Sequence, residues 1–399
     1  MEIREIEGLR WPTPEKLRRI AERKPLSSNE LLALKSRSFY LPIHMLQLAR
    51  GNEETNKREI ITDLYNVLRE QDTIEDANPN IMDTSSKVVL MRQFVYILNQ
   101  ITRREPSEPI DDLIRENLSG LTEILVKGVM NKDEEIFVRS FGKGGVLERI
   151  RATATGDIKD AILTCVASME VGMERFLKKN RIEKIPELEE YCSYVAADVG
   201  KALNRIVKHS DVVDLDDGGA KMFGRSLQMT NVLKNINEDW TERRVIYLPK
   251  ELYPDVSDEE LFDMENSHGR SVRKEALDTM VSNTRRDLRK SADYIGSVPG
   301  KLSGYQAFTM IPFFTAVETL RAMEKGGAEA VFRGDGKAVK ASPEAFQNIA
   351  RFSYSLALGG GKMTEEFMEL YKQAQDREEH SKYCFDPERF EKWSKELFE

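Results

Sequence analysis

The placement of proline constrains this 399-residue chain more than any other feature. Proline has no amide hydrogen to donate and clashes with the preceding turn, so long helices belong in proline-free intervals. None of the 14 prolines falls between Pro109 and Pro186, and none falls from Asp255 to Val298. Within the first interval Leu121, Ile124, Leu125 and Val129 recur at the three- and four-residue spacing of one helix face. Period-two alternation is scarce, and hairpin dipeptides are almost confined to Asp217-Gly218 and Asp335-Gly336. The expected fold is all-α. Turn-forming residues gather at Asp76 to Thr84, Arg104 to Pro109, Ser210 to Gly219, Gly334 to Ser342 and Gly359 to Gly361, all too short for interdomain linkers.

Composition excludes several classes. With 40% hydrophobic residues the chain can bury a large core, and with 60 Lys+Arg against 68 Asp+Glu it has no global basic field for nucleic acid. Cys165, Cys192 and Cys384 show no metal or disulfide spacing, and His44, His209, His268 and His380 are scattered. The mixed charges of the first ten residues are unlike a signal peptide. No apolar run approaches the roughly 18–20 residues that span a bilayer. These features predict a cytoplasmic protein without a transmembrane segment, whose membrane contact is peripheral. The charged end, with Trp393, Leu397 and Phe398, reads as a loosely docked helix, a partner contact or a foot for that membrane contact.

Two acidic clusters stand out. Tyr65, Arg69, Asp72 and Asp76 share one helix face, and Glu75 sits beside the last. Asn231, Asn235 and Asp239 repeat every four residues, with Glu238 adjacent and Gln228 and Lys234 flanking. Oxygen donors without His or Cys suit Mg²⁺, which takes one or two carboxylates plus substrate phosphates. Arg69, Lys234 and the Ser36-Arg37-Ser38 triplet supply cations and donors for phosphate oxygens. Either cluster alone reads better as a solvated acidic face; the pair points to a diphosphate clamp. Gly334-Asp-Gly-Lys337 lacks the spacing of a P-loop, and no GxGxxG follows a strand.

Ser36-Arg-Ser-Phe39, Tyr65 to Asp76, Tyr191-Cys-Ser-Tyr-Val-Ala196, Gln228 to Asp239, Ser168 to Leu177 and Phe308-Thr-Met-Ile-Pro312 together resemble the squalene and phytoene synthase family. The Asp72-Thr-Ile-Glu-Asp76 form and the stretch Val331 to Lys340 are more similar to its squalene synthases than to its phytoene synthases. The resemblance implies a single-domain isoprenoid-synthase-type helical bundle around a central cavity. It divides the chain into an N-terminal extension (1–25), a catalytic domain (26–345) and a charged helical C-terminal segment (346–399). The implied reaction joins two farnesyl diphosphates head to head through presqualene diphosphate to squalene, with Mg²⁺ and NADPH, in a monomer. The implied metal set is Asp72, Glu75, Asp76, Asn231, Asn235, Glu238 and Asp239. Ser36, Arg37, Ser38, Arg69, Gln228 and Lys234 are implied for diphosphate, Tyr65, Tyr191 and Phe308 for chemistry at the carbocations, and Lys337 and Lys340 for NADPH. Phe39 is a further aromatic candidate, and ordinary core packing is the alternative for each aromatic.

The chain departs from the family pattern at Ala77 and Asn235, where acids are usual, and at Ala197, Asp198 and Phe313. Alternatives follow: a same-fold synthase of presqualene diphosphate, dehydrosqualene or phytoene without reduction, a non-catalytic prenyl-diphosphate binder, or a helical scaffold.

Overall fold

The computed structural model describes residues 26–46, 52–77, 79–105, 107–110, 117, 119–128, 145–154, 156–179, 181–208, 213–333 and 339–358; at 37, 38, 52–56, 119, 128, 343, 344, 351 and 354–358 the description stops at the backbone. Every regular element among these residues is helical, as the proline spacing predicts. In chain order they are α1 (Ser28–Lys35), α2 (Arg37–Met45), α3 (Asn52–Glu75), α4 (Thr84–Arg103), α5 (Ser119–Gly128), α6 (Val146–Thr153) and α7 (Gly156–Lys179). There follow α8 (Ile185–Cys192), α9 (Asp198–Lys208), α10 (Asp217–Glu238), α11 (Asp258–Phe262), α12 (Ser267–Ser297), α13 (Ser303–Arg333) and α14 (Pro343–Leu358). Two π-helical turns, Ser193–Ala197 and Asp239–Arg243, interrupt the regular pitch. The packing divides into two compact units, one holding the residues up to Lys179 plus those from Lys201 to Val212, the other holding the remainder.

In the first unit α3 is packed by α1, α4, α6 and α7. Met91, Phe94, Leu98 and Ile101 of α4 and Ile162, Val166 and Met173 of α7 are buried. Each such side chain contributes about 1.5–3 kcal/mol by leaving water. Asp83 caps α4, accepting from the Ser86 amide at 2.7 Å, and Ser27 with Glu30 closes a capping box on α1. The core face of α3 is unusually polar. Asp63 accepts from Ser28 Oγ at 2.5 Å and from Arg149 Nε at 3.3 Å, while Gln71 Nε2 donates to the Val166 carbonyl at 3.0 Å. Burial pushes the Asp63 carboxyl up to about 6, the Arg149 charge and the Ser28 hydroxyl opposing it.

In the second unit α10 packs on α12 and α13 and is crossed by the first π-turn. Two glycines permit the close approach. A Cβ on Gly200 would stand 2.2 Å from the Ala220 carbonyl oxygen, and one on Gly224 would stand 2.2 Å from that of Ala196. Arg225 of α10 holds the buried Asp287 of α12 through two hydrogen bonds of 2.6 and 2.9 Å, and Arg286 donates to Glu189 of α8 at 2.6 Å. Fully buried Arg273 donates to the carbonyls of Leu261 and Asp263 at 3.0 and 2.9 Å and to Glu329 at 2.9 Å. This last contact pins α13 just beyond Gly327, whose φ of +74° kinks it.

Three expectations are corrected. Pro42 and Pro312 lie inside α2 and α13, so proline is not always a boundary here. An interior proline forfeits one ladder bond, which the packing of the buried helix must outweigh. Ile124 faces out at 48% exposure while Leu121 and Leu125 are buried, so the apolar stripe of α5 is narrower than its sequence suggests. α10 starts at Asp217, inside the turn-rich stretch, because Asp216 accepts from the Gly218 amide at 2.8 Å and starts the helix. Val129, Gly359 to Gly361 and most of the C-terminal segment lie outside the described residues.

Candidate active site

The first acidic cluster forms the end of α3. Arg69 Nη1 lies 3.3 Å from Asp72 Oδ2 and 3.8 Å from Asp76 Oδ2, so one half-buried guanidinium draws two carboxylates together. The stripe expected from the spacing is real, and its cation is internal. Glu75 is placed differently, beside Lys87, whose ammonium donates to the Glu75 carbonyl at 2.6 Å and is held below the usual lysine range by burial. Tyr65, about two helical turns before Asp72, is half-buried against Phe39, the ring centroids 5.3 Å apart. Ser36 is buried where α1 ends; it caps α2 by accepting from the Phe39 amide at 3.0 Å. Burial raises the Tyr65 hydroxyl, with the Ser36 hydroxyl and the Arg69 charge opposing.

Glu70, which the motif reading passes over, is buried, and desolvation pushes its carboxyl up to about 8 against the charges of Lys35 and Arg69. One of its oxygens has no hydrogen-bond partner. Near neutral pH it is therefore largely uncharged, leaving the charge of this face to Asp72 and Asp76. No simple motif marks such a group.

The second cluster ends α10. Lys234 Nζ donates to Asn231 Oδ1 at 2.7 Å, and both side chains are half-buried, as are Gln228 and Asn235. Burial and the nearby Lys340 lower the Lys234 ammonium, while Glu238 and Asp239 oppose them. Asp239 is buried at the start of the second π-turn and pairs with Arg243, a residue the motif reading misses although it stands four positions on. Glu238 faces out. Arg244 closes the turn in the left-handed region at φ +55°, its guanidinium 4.6 Å from the Trp240 ring. Both clusters thus share a device: an arginine neutralises the acids of the final helical turn.

Two of the aromatic candidates are buried. Tyr191 at the end of α8 stacks on Tyr247 at 5.0 Å, and Phe308 of α13 stacks on Tyr305 at 5.8 Å. Tyr305 in turn shares a 2.9 Å hydrogen bond with Tyr294. Lys340 is exposed beside Lys234 in charge, although the resemblance gives the two different ligands. The departures find structural partners. Ala197 lies in the π-turn against Gly224, Ala77 is buried after α3, and Phe313 packs edge-on to Phe314 in the core. The side chains of Arg37 and Ser38, and all of Lys337, lie outside the described residues.

The donor chemistry fits Mg²⁺. Asp72 and Asp76 present hard oxygens converging on one cation, while at the end of α10 Asp239 pairs with Arg243 and the Asn231 amide oxygen accepts from Lys234. Among the described residues no three acidic, His or Cys groups stand together as a metal site. A carboxylate pair is what Mg²⁺ uses when substrate phosphates complete its shell.

Comparison with known proteins assigns the class. A family model described as squalene/phytoene synthase matches residues 32–344, most of the chain, which therefore belongs to that family. The chain is 30% identical over 167 residues to squalene synthase 3 of Panax ginseng, covering 41% of this chain and 39% of that protein. It is 27% identical over 297 residues to squalene synthase R6 of a Phoma species, covering 72% and 62%. The match thus spans about two fifths of the ginseng relative. Among solved structures, TcSQS bound to the ligand BPH1237 superposes with TM-score 0.66 at 22% identity, covering 93% of this chain and 96% of that one. A dehydrosqualene synthase complex follows at TM-score 0.53 and 16% identity, covering 86% and 99%. At these identities the structures establish the shared all-α fold.

Proposed function

We propose that this protein condenses two molecules of farnesyl diphosphate head to head through presqualene diphosphate and reduces the product with NADPH to squalene. The observation that carries the reading is the pair of carboxylates, Asp72 and Asp76, gathered by Arg69 on a half-buried helix face. It is supported by the family membership of residues 32–344 and by the squalene synthases of ginseng and Phoma.

In this reading Asp72, Asp76 and Asp239, with Asn231 and Asn235, hold Mg²⁺ directly or through water, with Glu75 and Glu238 contributing charge. When bound, Mg²⁺ supplies Lewis-acid neutralisation of a departing diphosphate. Arg69 and Arg243 exchange their carboxylate partners for phosphate oxygens, to which guanidinium geometry is matched. Ser36, Arg37, Ser38, Gln228 and Lys234 bind the remaining oxygens. Lys234, its ammonium lowered by burial and by Lys340, regains a full complement of charge partners when an anion arrives. Tyr65, Tyr191 and Phe308 present aromatic faces to allylic cations, each face worth about 0.5–2 kcal/mol, and the apolar packing around them excludes the water that would quench those cations. Lys337 and Lys340 contact the phosphates of NADPH. The hydrocarbon product dissolves only in lipid, so the protein works at a membrane surface.

Purified protein incubated with farnesyl diphosphate and Mg²⁺, with and without NADPH, and analysed by mass spectrometry tests this. Squalene formed only with NADPH is the expected result. Presqualene diphosphate or dehydrosqualene with or without NADPH retains the condensation and removes the reduction. No product from farnesyl or geranylgeranyl diphosphate makes the chain a binder.

A further inference from the structure

Beyond Gly327, α13 is a separate piece. That residue, at φ +74° and ψ 173°, interrupts the helical run, and residues 328–333 leave it in a new direction. A Cβ there would meet nothing within 4 Å, so the left-handed backbone, and not a neighbour, requires glycine. The piece is held by other helices. Ala328, Val331 and Phe332 are buried, and Glu329 accepts from Arg273 of α12 at 2.9 and 3.2 Å. The Phe332 ring lies 5.6 Å from Phe262 of α11, which stacks on Trp240 at 4.9 Å.

Asn237 of α10 adds a contact of a different kind: its Nδ2 donates to the Phe332 carbonyl at 2.5 Å. Phe332 is one of the last four residues of α13, whose carbonyls have no amide of their own helix to accept from. A side chain of one helix thus caps the end of another. Asn237 stands three positions after Lys234 and two before Asp239. Two positions turn a helix by about 200°, so Asn237 and Asp239 leave α10 on nearly opposite sides. Thr241 Oγ1 of the second π-turn donates to the Asn237 carbonyl at 2.9 Å, which ties this residue to the turn that carries Asp239 and Arg243.

Eight residues after Phe332 comes Lys340, which the proposed function gives to NADPH. Its neighbours are tied back to α13. A Cβ on Gly326 would stand 3.9 Å from Val339 Cγ1, and the Ala341 amide donates to Thr319 Oγ1 at 3.2 Å. The Lys340 charge also reaches Lys234, on the same α10 that carries Asn237. The path of the chain through Lys340 is therefore held after it by Thr319 and before it by the Asn237 cap on Phe332. A segment already held when a ligand arrives loses less freedom on binding it.

We propose that Asn237 is a positioning residue for the reduction: by capping Phe332 it sets the approach of Lys340 to NADPH, and the condensation proceeds without it. This rests on the proposed function and adds to it a residue outside both acidic clusters and the cofactor lysines.

The test uses the full chain and three variants. Asn237→Leu keeps the size and removes the donor, Asn237→Gln keeps a donor on a longer arm, and Gly327→Ala shifts the same piece through its backbone while leaving α10 intact. NADPH binding is read from the cofactor's fluorescence without farnesyl diphosphate, and presqualene diphosphate formation is measured without NADPH. Asn237→Leu should weaken NADPH binding and raise its KM at least about tenfold, the usual scale for a lost buried hydrogen bond, and amides of residues 328–333 should exchange faster. Its presqualene diphosphate formation should stay within about threefold of wild type, so that this intermediate accumulates when NADPH is present. Asn237→Gln should recover much of the binding. Gly327→Ala should reproduce the split, and it decides the matter if Asn237→Leu does not fold. Unchanged NADPH binding in Asn237→Leu and Gly327→Ala, or parallel loss of both steps, would overturn this inference alone. Wild-type protein that binds no NADPH would overturn the reduction and this inference with it. A wild type that binds NADPH and condenses nothing would count against the proposed function, while the binding comparison still decides the role of Asn237.

Discussion

At the scale of single residues, the Arg69 bridge explains why Asp72 and Asp76 can be charged and half-buried at once. Asp72→Asn and Asp76→Asn keep shape and remove charge. Each should lower kcat about 10²–10³-fold, the usual cost of one preorganised electrostatic group, with the melting point little changed; kcat within about tenfold of wild type at saturating Mg²⁺ would remove that residue from the metal set. Asn235→Asp restores the family's usual charge and should lower the Mg²⁺ concentration giving half-maximal activity, read by titration; an unchanged midpoint would mean Asn235 faces away from the metal. Asp63, nine residues before Asp72, makes a separate prediction about stability. Its carboxyl is raised from 3.8 to about 6, so the native state holds that proton more tightly than the unfolded chain. Native stability from this group is present below about pH 4 and is lost as pH rises through about 6, by up to ~3 kcal/mol. Asn cannot ionise, so Asp63→Asn should gain on wild type across that window, measured by urea unfolding at about pH 4, 5, 6 and 7. A constant difference would show that Arg149 fully offsets the burial.

At the scale of elements, most helices and the carboxylate stripe were legible because they depend only on residue spacing and on where proline falls. The stripe Tyr65–Arg69–Asp72 is periodic within one helix, and its arginine was visible beside the acids. Arg243 carries no such signal, because its pairing depends on a π-turn, where the spacing of the preceding helix ceases to apply. Glu75 stands with these acids in sequence, yet one position on a helix rotates it by about 100°, and its charge acts on Lys87. The close crossing of α10 with the first π-turn was equally hidden, since a glycine does not announce which backbone approaches it. Gly224→Ala would place a Cβ 2.2 Å from the Ala196 carbonyl oxygen, and the helices must part. It should destabilise by about 1–3 kcal/mol net of the roughly 1 kcal/mol gained in helix propensity. Gly120 of α5 has nothing within 4 Å of the position a Cβ would take, so Gly120→Ala should be neutral or stabilising by up to about 1 kcal/mol. Paired chemical denaturation curves decide this, and equal effects of the two substitutions would contradict the packing.

At the scale of the molecule, no helix among the described residues is long and apolar enough to cross a membrane. The division into two compact units was not legible in composition, for a physical reason: the chain passes between them at residues 180, 200 and 212, through short connections and within a continuous helix. α9 gives its first residues to one unit and Lys201 onward to the other, so no linker-like stretch is required. This interleaving has a thermodynamic consequence. Leu203, Ile206 and Val207 of α9 are at most 7% exposed and belong to the first unit, whose other described helices all precede residue 180. Three such side chains contribute about 4–9 kcal/mol of burial, comparable with the whole stability of a typical domain. A fragment ending at Lys179 would expose the surfaces these residues cover. It should retain helical far-UV signal, bind a hydrophobic dye and lose its signal gradually in urea, while the full chain unfolds sharply. A single steep transition in the fragment, without dye binding, would show that α1 to α7 form a core complete without α9.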